Sequence, residues 1–221
     1  MKNFIKYIIG GLKLYINNKN IIGEVAFKLS LEYGFDNVSI KQIQKEANVS
    51  VGAVYYHFKD KTDILDYMID TYIRKEINEF KENIRNYKGS FQKKLKLIFY
   101  HQLGKDYDDM SFSINLLNYE KIDYIEYTLF LIGIYHQYPQ FRHYFYEFSE
   151  DLLNFYKEIV DDLKEKNEID SSSNTEKIAI HIFSTVLGII ISWAGLQANM
   201  ELEKIVDANI EMICNLIEVK D

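Results

Sequence analysis

The chain has one cysteine, one proline and ten glycines in 221 residues. A single thiol, Cys214, closes no internal disulfide and completes no cysteine zinc site, so neither cross-link is expected to hold this fold. Its neighbours Ile213, Leu216 and Ile217 suit a small buried hydrophobe in a reducing compartment, here the cytoplasm. Proline breaks helix interiors, and having only Pro139 over such a length suits a mostly helical chain. No stretch alternates apolar and polar residues for long, which argues against strands. A glycine loop able to cradle phosphate is also missing, since Gly10-Gly11 is too short a signal. His101, His136, His143 and His181 are scattered without metal-ligand spacing. No catalytic residues, metal or cofactor are therefore expected, and an enzyme is the least favoured class.

Two segments imitate targeting or membrane signals. The N-terminal run MKNFIKYIIGGLKLYI is broken by Lys6 and Lys13 and lacks a small-residue cleavage site, unlike a secretory leader. Ile178–Met200 carries no formal charge over a length that could span a bilayer. His181, Ser184, Thr185, Ser192, Gln197 and Asn199 interrupt it, however. A helix buried on several faces, with no membrane partner, accounts for the same pattern.

What is present is an uneven distribution of charge. The net charge is −7, yet residues 1–61 hold nine lysines against five acids, while the remainder is strongly acidic. A basic end joined to an acidic body suits a nucleic-acid-facing module attached to a part that does not touch nucleic acid.

Helical periodicity divides the chain. Residues 20–33 place Ile22, Val25, Ala26, Leu29 and Tyr33 on one face, with Asn20 as N-cap and Gly34 ending the helix. Ser39 caps a short second helix with Ile40, Ile43 and Ala47 inward, and Asn48 tolerates the left-handed turn that follows. Ser50 caps a third short helix carrying Val54 and Phe58. Asp60 opens a long fourth helix whose stripe runs Ile64, Leu65, Met68, Tyr72, Ile73, Ile77, Phe80 and Ile84. Further helices are predicted at about 91–103, 112–136, 140–167, 174–198 and 201–218, with Ser173 to Glu176 forming a capping box. The expected domains are 1–61, a helix-turn-helix unit with an N-terminal extension, and 62–221, a helical effector-binding and dimerisation body.

Two short helices about a tight turn over residues 39–58 have helix-turn-helix spacing, with the second helix free to enter a DNA major groove. Base reading falls to Gln42, Ser50, Val51, Ala53 and Tyr56, since an amide pairs with adenine and small apolar groups touch thymine methyls. Lys41 can reach guanine or phosphate, and Gly52 is placed in the same DNA-binding set. Ser39 at a helix start, Tyr55, His57 and Lys61 are candidate phosphate donors.

The run Ala47-Asn48-Val49-Ser50-Val51-Gly52-Ala53-Val54-Tyr55-Tyr56-His57-Phe58-Lys59-Asp60-Lys61 resembles the signature of the TetR/AcrR family of transcriptional regulators. Upstream, Gly34-Phe35-Asp36-Asn37-Val38-Ser39-Ile40 is similar to that family's loop between its first two helices. The resemblance spans about residues 21–65, and three positions depart from it. Asn48 stands for the usual turn glycine, Gln44 for a small alanine, and Ser30 for a frequent core phenylalanine.

The resemblance implies an all-α, TetR-like fold of about nine helices. It implies a homodimer on a palindromic double-stranded operator, acting as a repressor released by a small-molecule effector. The effector would sit among the middle helices, where Tyr107, Phe112, Tyr119, Tyr124, Tyr127 and Tyr135 crowd. With Glu120, Asp123 and Glu126 nearby, aromatic faces and a carboxylate would suit a cation. The last two helices would form the dimer seam through Ile178, Ile182, Val186, Ile189 and Trp193, with Gly188 allowing close approach, and through Leu202, Val206, Asn209, Ile213, Leu216 and Ile217. The rival reading is a helical sensor or adaptor whose helix-turn-helix no longer binds DNA.

Overall fold

The structure is a computed structural model, and it describes residues 18–103, 124–195, 199 and 201–217. Among these the elements are helical throughout. They are α1 (Asn18–Tyr33), α2 (Ile40–Glu46), α3 (Val51–His57), α4 (Lys61–Met68), α5 (Arg74–Asn86), α6 (Phe91–Gln102), α7 (Tyr124–Gln137), α8 (Arg142–Glu165), α9 (Thr175–Ile189) and α10 (Leu202–Leu216).

The first three helices start and stop where local chemistry directs. Ser39 and Gln42 form a reciprocal capping box at the start of α2. The Ser50 side chain accepts the Ala53 N–H at 3.1 Å, capping α3. Asn48 takes φ 52° and Gly34 takes φ 77°, so both turns use the left-handed region that the sequence anticipated there. Gln44 earns its place by a bond across the same turn, its Nε2 donating to the Val49 carbonyl at 2.8 Å. Ser30 bonds back to the Ala26 carbonyl at 2.6 Å instead of filling space. A cavity of about 320 Å³ remains beside it, bordered by Phe35, Phe130 and Ile134.

The long fourth helix is a composite. A π-helical stretch at Ile69–Ile73 separates α4 from α5, so the backbone register changes between the small N-terminal domain and the body. The first helix already includes Asn18, so Asn20, the expected cap, lies within it. At the start of α9 the cap is Asn174, which accepts the Lys177 N–H at 2.9 Å, and Ser173 lies outside it. Asn and Ser cap helices about equally well, so composition alone does not separate the two positions.

Two apolar cores organise the chain. The first packs Ile22, Phe27, Phe35, Ile43, Val54 and Phe58 with Ile64 to Ile73 of the α4 region, and takes Tyr127, Phe130, Ile134 and Phe141 from the body. The second joins α5, α6, α8, α9 and α10. Helix α7 is thus wedged between the small domain and the body. Polar contacts follow the same seam: Tyr138 donates to the Asp36 carboxylate and Tyr144 to Asp66 at 2.6 Å, while Arg74 reaches Glu147 at 3.3 Å.

The C-terminal helices correct one expectation. Ile182, Val186, Ile189, Val206, Ile213 and Ile217 are buried inside the single chain, and Trp193 packs half-buried against the same core. An apolar stripe reads alike whether it meets the chain's own core or a partner, and here the core takes it. Leu216 of the expected seam is exposed, as are Ile180 and Met212, on the outer faces of α9 and α10. A Cβ at Gly188 would touch nothing within 4 Å, which leaves room for close approach from outside. Thr175–Trp193 is long and apolar enough to cross a membrane by composition, yet its Ile178, Ala179, Ile182 and Val186 are packed within the second core.

Candidate nucleic-acid interface and effector cavity

Two short helices can present an outer face only if something anchors the inner one. Ile43 of α2 and Val54 of α3 are fully buried, and Phe58 closes the end of α3. That anchoring turns the opposite residues outward. Val51 is 50% exposed, Tyr55 54% and Tyr56 84%. A tyrosine so exposed, in a run with two other exposed apolar side chains, is costly to leave in water unless a partner covers it. Tyr56 is steadied by His57, whose ring meets it edge-on at 4.9 Å. Ser50 and Gly52 are also exposed and Ala53 is half-buried, so the first turn of α3 offers small groups and a bare backbone. Lys41 is exposed on α2.

Two of the expected DNA-facing groups are already engaged. The Gln42 Oε1 accepts from the Ser39 backbone N–H at 2.8 Å and from its hydroxyl at 2.7 Å. Only the amide nitrogen end of Gln42 is left for a base, because the capping box uses its oxygen. Lys61 lies over the Phe35 ring, 4.4 Å from its centre, and donates to the Asp36 carbonyl at 3.1 Å. Partial burial pushes its pKa down, with Asp36 opposing. The α4 N-terminus is further occupied by acids, since Asp60 accepts the Asp63 N–H and Asp63 accepts that of Lys59. In this state Lys61 fastens the loop before α2 to the start of α4, and a phosphate would have to compete for it.

The second site is a cavity of about 340 Å³ in the body. Its walls are Ile73, Glu76 and Ile77 from the fourth-helix line, Gln102 from α6, one face of α7 from Tyr127 and Thr128 to Tyr135, Phe145, Phe148 and Leu152 of α8, and Phe183 and Leu187 of α9 with the π-helical residues Ile190 and Ile191 that continue it. Of the expected effector residues, Tyr127 and Tyr135 line it. Tyr107, Phe112, Tyr119 and the side chain of Tyr124 lie outside the described residues, as do Glu120 and Asp123. Glu126 faces the other cavity, beside Ser30.

The acid that does reach the body cavity is Glu76. Its side chain is only 13% exposed and lies 3.6 Å from His101 Nε2, longer than a hydrogen bond. Burial pushes the Glu76 carboxyl up to about 8, with Glu79 adding to the shift. Burial also holds His101 down to about 4, and its ring stacks on Phe80 at 4.4 Å. At neutral pH the cavity therefore presents a protonated carboxyl beside a neutral imidazole. The sequence carries a trace of this: Glu76 interrupts the core side of the stripe between Ile73, Ile77 and Phe80. Among the described residues no group of three or more histidine, cysteine or acidic side chains could hold a metal ion.

Comparison with known proteins bears on the small domain most directly. Residues 22–68 match the family model described as bacterial regulatory proteins, tetR family. The DNA-binding domain is that of the TetR family. An HTH-type transcriptional regulator of Staphylococcus aureus (strain bovine RF122 / ET3-1) is 36% identical over 77 residues, or 35% of this chain. The match covers 42% of that relative, so the chain spans less than half the length of the curated relative it matches. The fold of the body is shared more widely. A TetR-family regulator from Cytophaga hutchinsonii superposes with a TM-score of 0.71 at 15% identity, covering 96% of this chain and all of that one. FadR from Bacillus subtilis in complex with stearoyl-CoA gives 0.62 at 20% identity, covering 88% and 96% respectively. The TetR-family arrangement of a small helix-turn-helix domain on a helical body is thus the fold of this chain.

Proposed function

We propose that this chain is a transcriptional regulator that binds a palindromic operator as a homodimer and acts as a repressor released by a small molecule in the body cavity. The observation that carries the DNA-binding part is the outward face of α3. Val51, Tyr55 and Tyr56 are exposed on a helix whose opposite side is anchored in the small domain's core. Two such helices about 34 Å apart meet successive major grooves on one side of a duplex. A dimer through the outer faces of α9 and α10, where Ile180, Met212 and Leu216 are exposed, would supply that spacing.

Helix α7 supports the release mechanism. Tyr127, Phe130 and Ile134 pack into the small domain's core, with Phe130 meeting Phe27 edge-on at 5.5 Å. Thr128, Leu131 and Tyr135 of the same helix line the cavity. Ile73, at the end of the π-helical stretch, belongs to both regions. A ligand that fits one position of α7 and Ile73 better than another therefore biases the seating of the DNA-binding domain, and hence the separation of two α3 helices. The structurally similar FadR from Bacillus subtilis is in complex with stearoyl-CoA. The described lining of this cavity holds no lysine or arginine for an acyl-CoA phosphate, which favours a different class of ligand here.

The deciding experiment selects DNA from a random library with the full-length protein, then follows binding by fluorescence anisotropy at several salt concentrations. A regulator gives a log K against log salt slope of roughly −0.9 per phosphate contacted. No enrichment, or binding indifferent to salt, would instead establish the adaptor with a silent helix-turn-helix.

A further inference from the structure

The cavity's chemistry narrows what it can hold, and the inference rests on the effector-release reading above. An anionic ligand would meet the Glu76 carboxyl with no cationic side chain among the described lining residues. A wholly apolar ligand would cover Glu76 without giving it a partner, leaving a buried acid desolvated for nothing. A cation bonded to Glu76 resolves both problems, because it pairs with the acid in its ionised form. The surrounding Tyr127, Tyr135, Phe145, Phe148 and Phe183 add aromatic faces and an apolar wall for a hydrocarbon body. We propose that the cavity binds a lipophilic monocation, its protonated amine held by Glu76 and its apolar body lying along Phe145, Phe148 and Phe183.

Binding of such a cation is coupled to loss of the Glu76 proton. The groups that face Glu76 are His101 from α6 and Tyr127 from α7, with Glu79 on its own helix. The described lining from α8 and α9 adds no charged group. His101 stays neutral above its depressed pKa of about 4, and burial holds Tyr127 protonated, so Glu76 is the group that changes state between pH 6.5 and 8. Amine affinity therefore rises across that window.

The test compares decylamine, decanol and decanoate on the full-length wild-type protein, below their aggregation concentrations. Fluorescence of Trp193, close in sequence to the wall residues Ile190 and Ile191, and calorimetry report binding. The expected result is that decylamine binds at least ~10-fold tighter than decanoate and tightens from pH 6.5 to 8, while decanol does not change with pH. Glu76→Gln should cost decylamine ~10-fold or more and leave decanol unaltered. Decanoate binding best, no binding of the amine, or equal binding of all three would overturn the proposal on wild-type protein alone, whatever the folding of the variant. Operator binding is measured separately by anisotropy. Failure of the amine with DNA binding intact removes only this inference, whereas failure of DNA binding removes the reading it rests on.

Discussion

Glu76 sets the pH behaviour of the unliganded protein as well as its ligand preference. Burial raises its pKa from an ordinary 4.5 to about 8, so between those values the folded chain holds a proton that the unfolded chain has lost. Stability falls where the folded state binds more protons, as pH rises through that window. His101 works in the opposite sense, since its folded value near 4 lies below its ordinary 6.5 and costs stability as pH drops through 6.5 to 4. The two trends oppose each other below pH 6.5, and above it Glu76 acts alone. Thermal melts of the ligand-free protein should therefore show stability declining from pH 6.5 to 8, by at most about 1.4 kcal/mol per pH unit. Glu76→Gln should flatten that limb. A flat wild-type profile over the same range would mean that the carboxyl is ionised throughout.

At the scale of the element, α2 and α3 separate fold from contact. Ile43 is fully buried in the small-domain core, and its truncation to alanine should cost about 2–5 kcal/mol and lose DNA binding through unfolding. Tyr56 is 84% exposed, so Tyr56→Ala should change stability by no more than about 0.5 kcal/mol while weakening DNA binding. Paired melts and anisotropy titrations distinguish the two. If Tyr56→Ala left affinity for selected DNA unchanged, the outer face of α3 would not be the contact surface. The capping residues show why these helices were legible from sequence. Ser39, Asn48 and Ser50 act through backbone groups only a few residues away, so their chemistry needs no distant partner. Gln42 and Lys61 were only half legible. Gln42 has an exposed side chain that any sequence would offer to DNA, and a cap three residues back claims its oxygen. Lys61 is drawn to Phe35 and Asp36, about 25 residues upstream, a contact that only folding creates.

For the whole molecule, the proposed dimer rests on the outer faces of α9 and α10. The buried seam of these helices serves the chain's own core, and the exposed Met212 and Leu216 lie opposite it. Replacing both with glutamate leaves the core untouched. It should give a folded monomer by analytical ultracentrifugation and a loss of palindrome affinity far exceeding the loss for a single half-site. A dimer that survived the double change would place the interface elsewhere.

The sequence by itself determined the helical class, the caps and turns of the DNA-binding domain, and its family likeness, because those depend on local backbone chemistry and on side chains a few positions apart. It could not say which side of the last two helices faces the core, since an apolar stripe carries no address for its partner. Nor could it name Glu76 as the acid in the cavity: the aromatics and acids that crowd residues 107–127 drew attention to themselves, whereas Glu76 is one acid within an apolar stripe. Tertiary structure decided both points. It placed Glu76 near His101 and Tyr127, in one cavity with the phenylalanines of α8 and α9, and burial there raises the carboxyl's pKa.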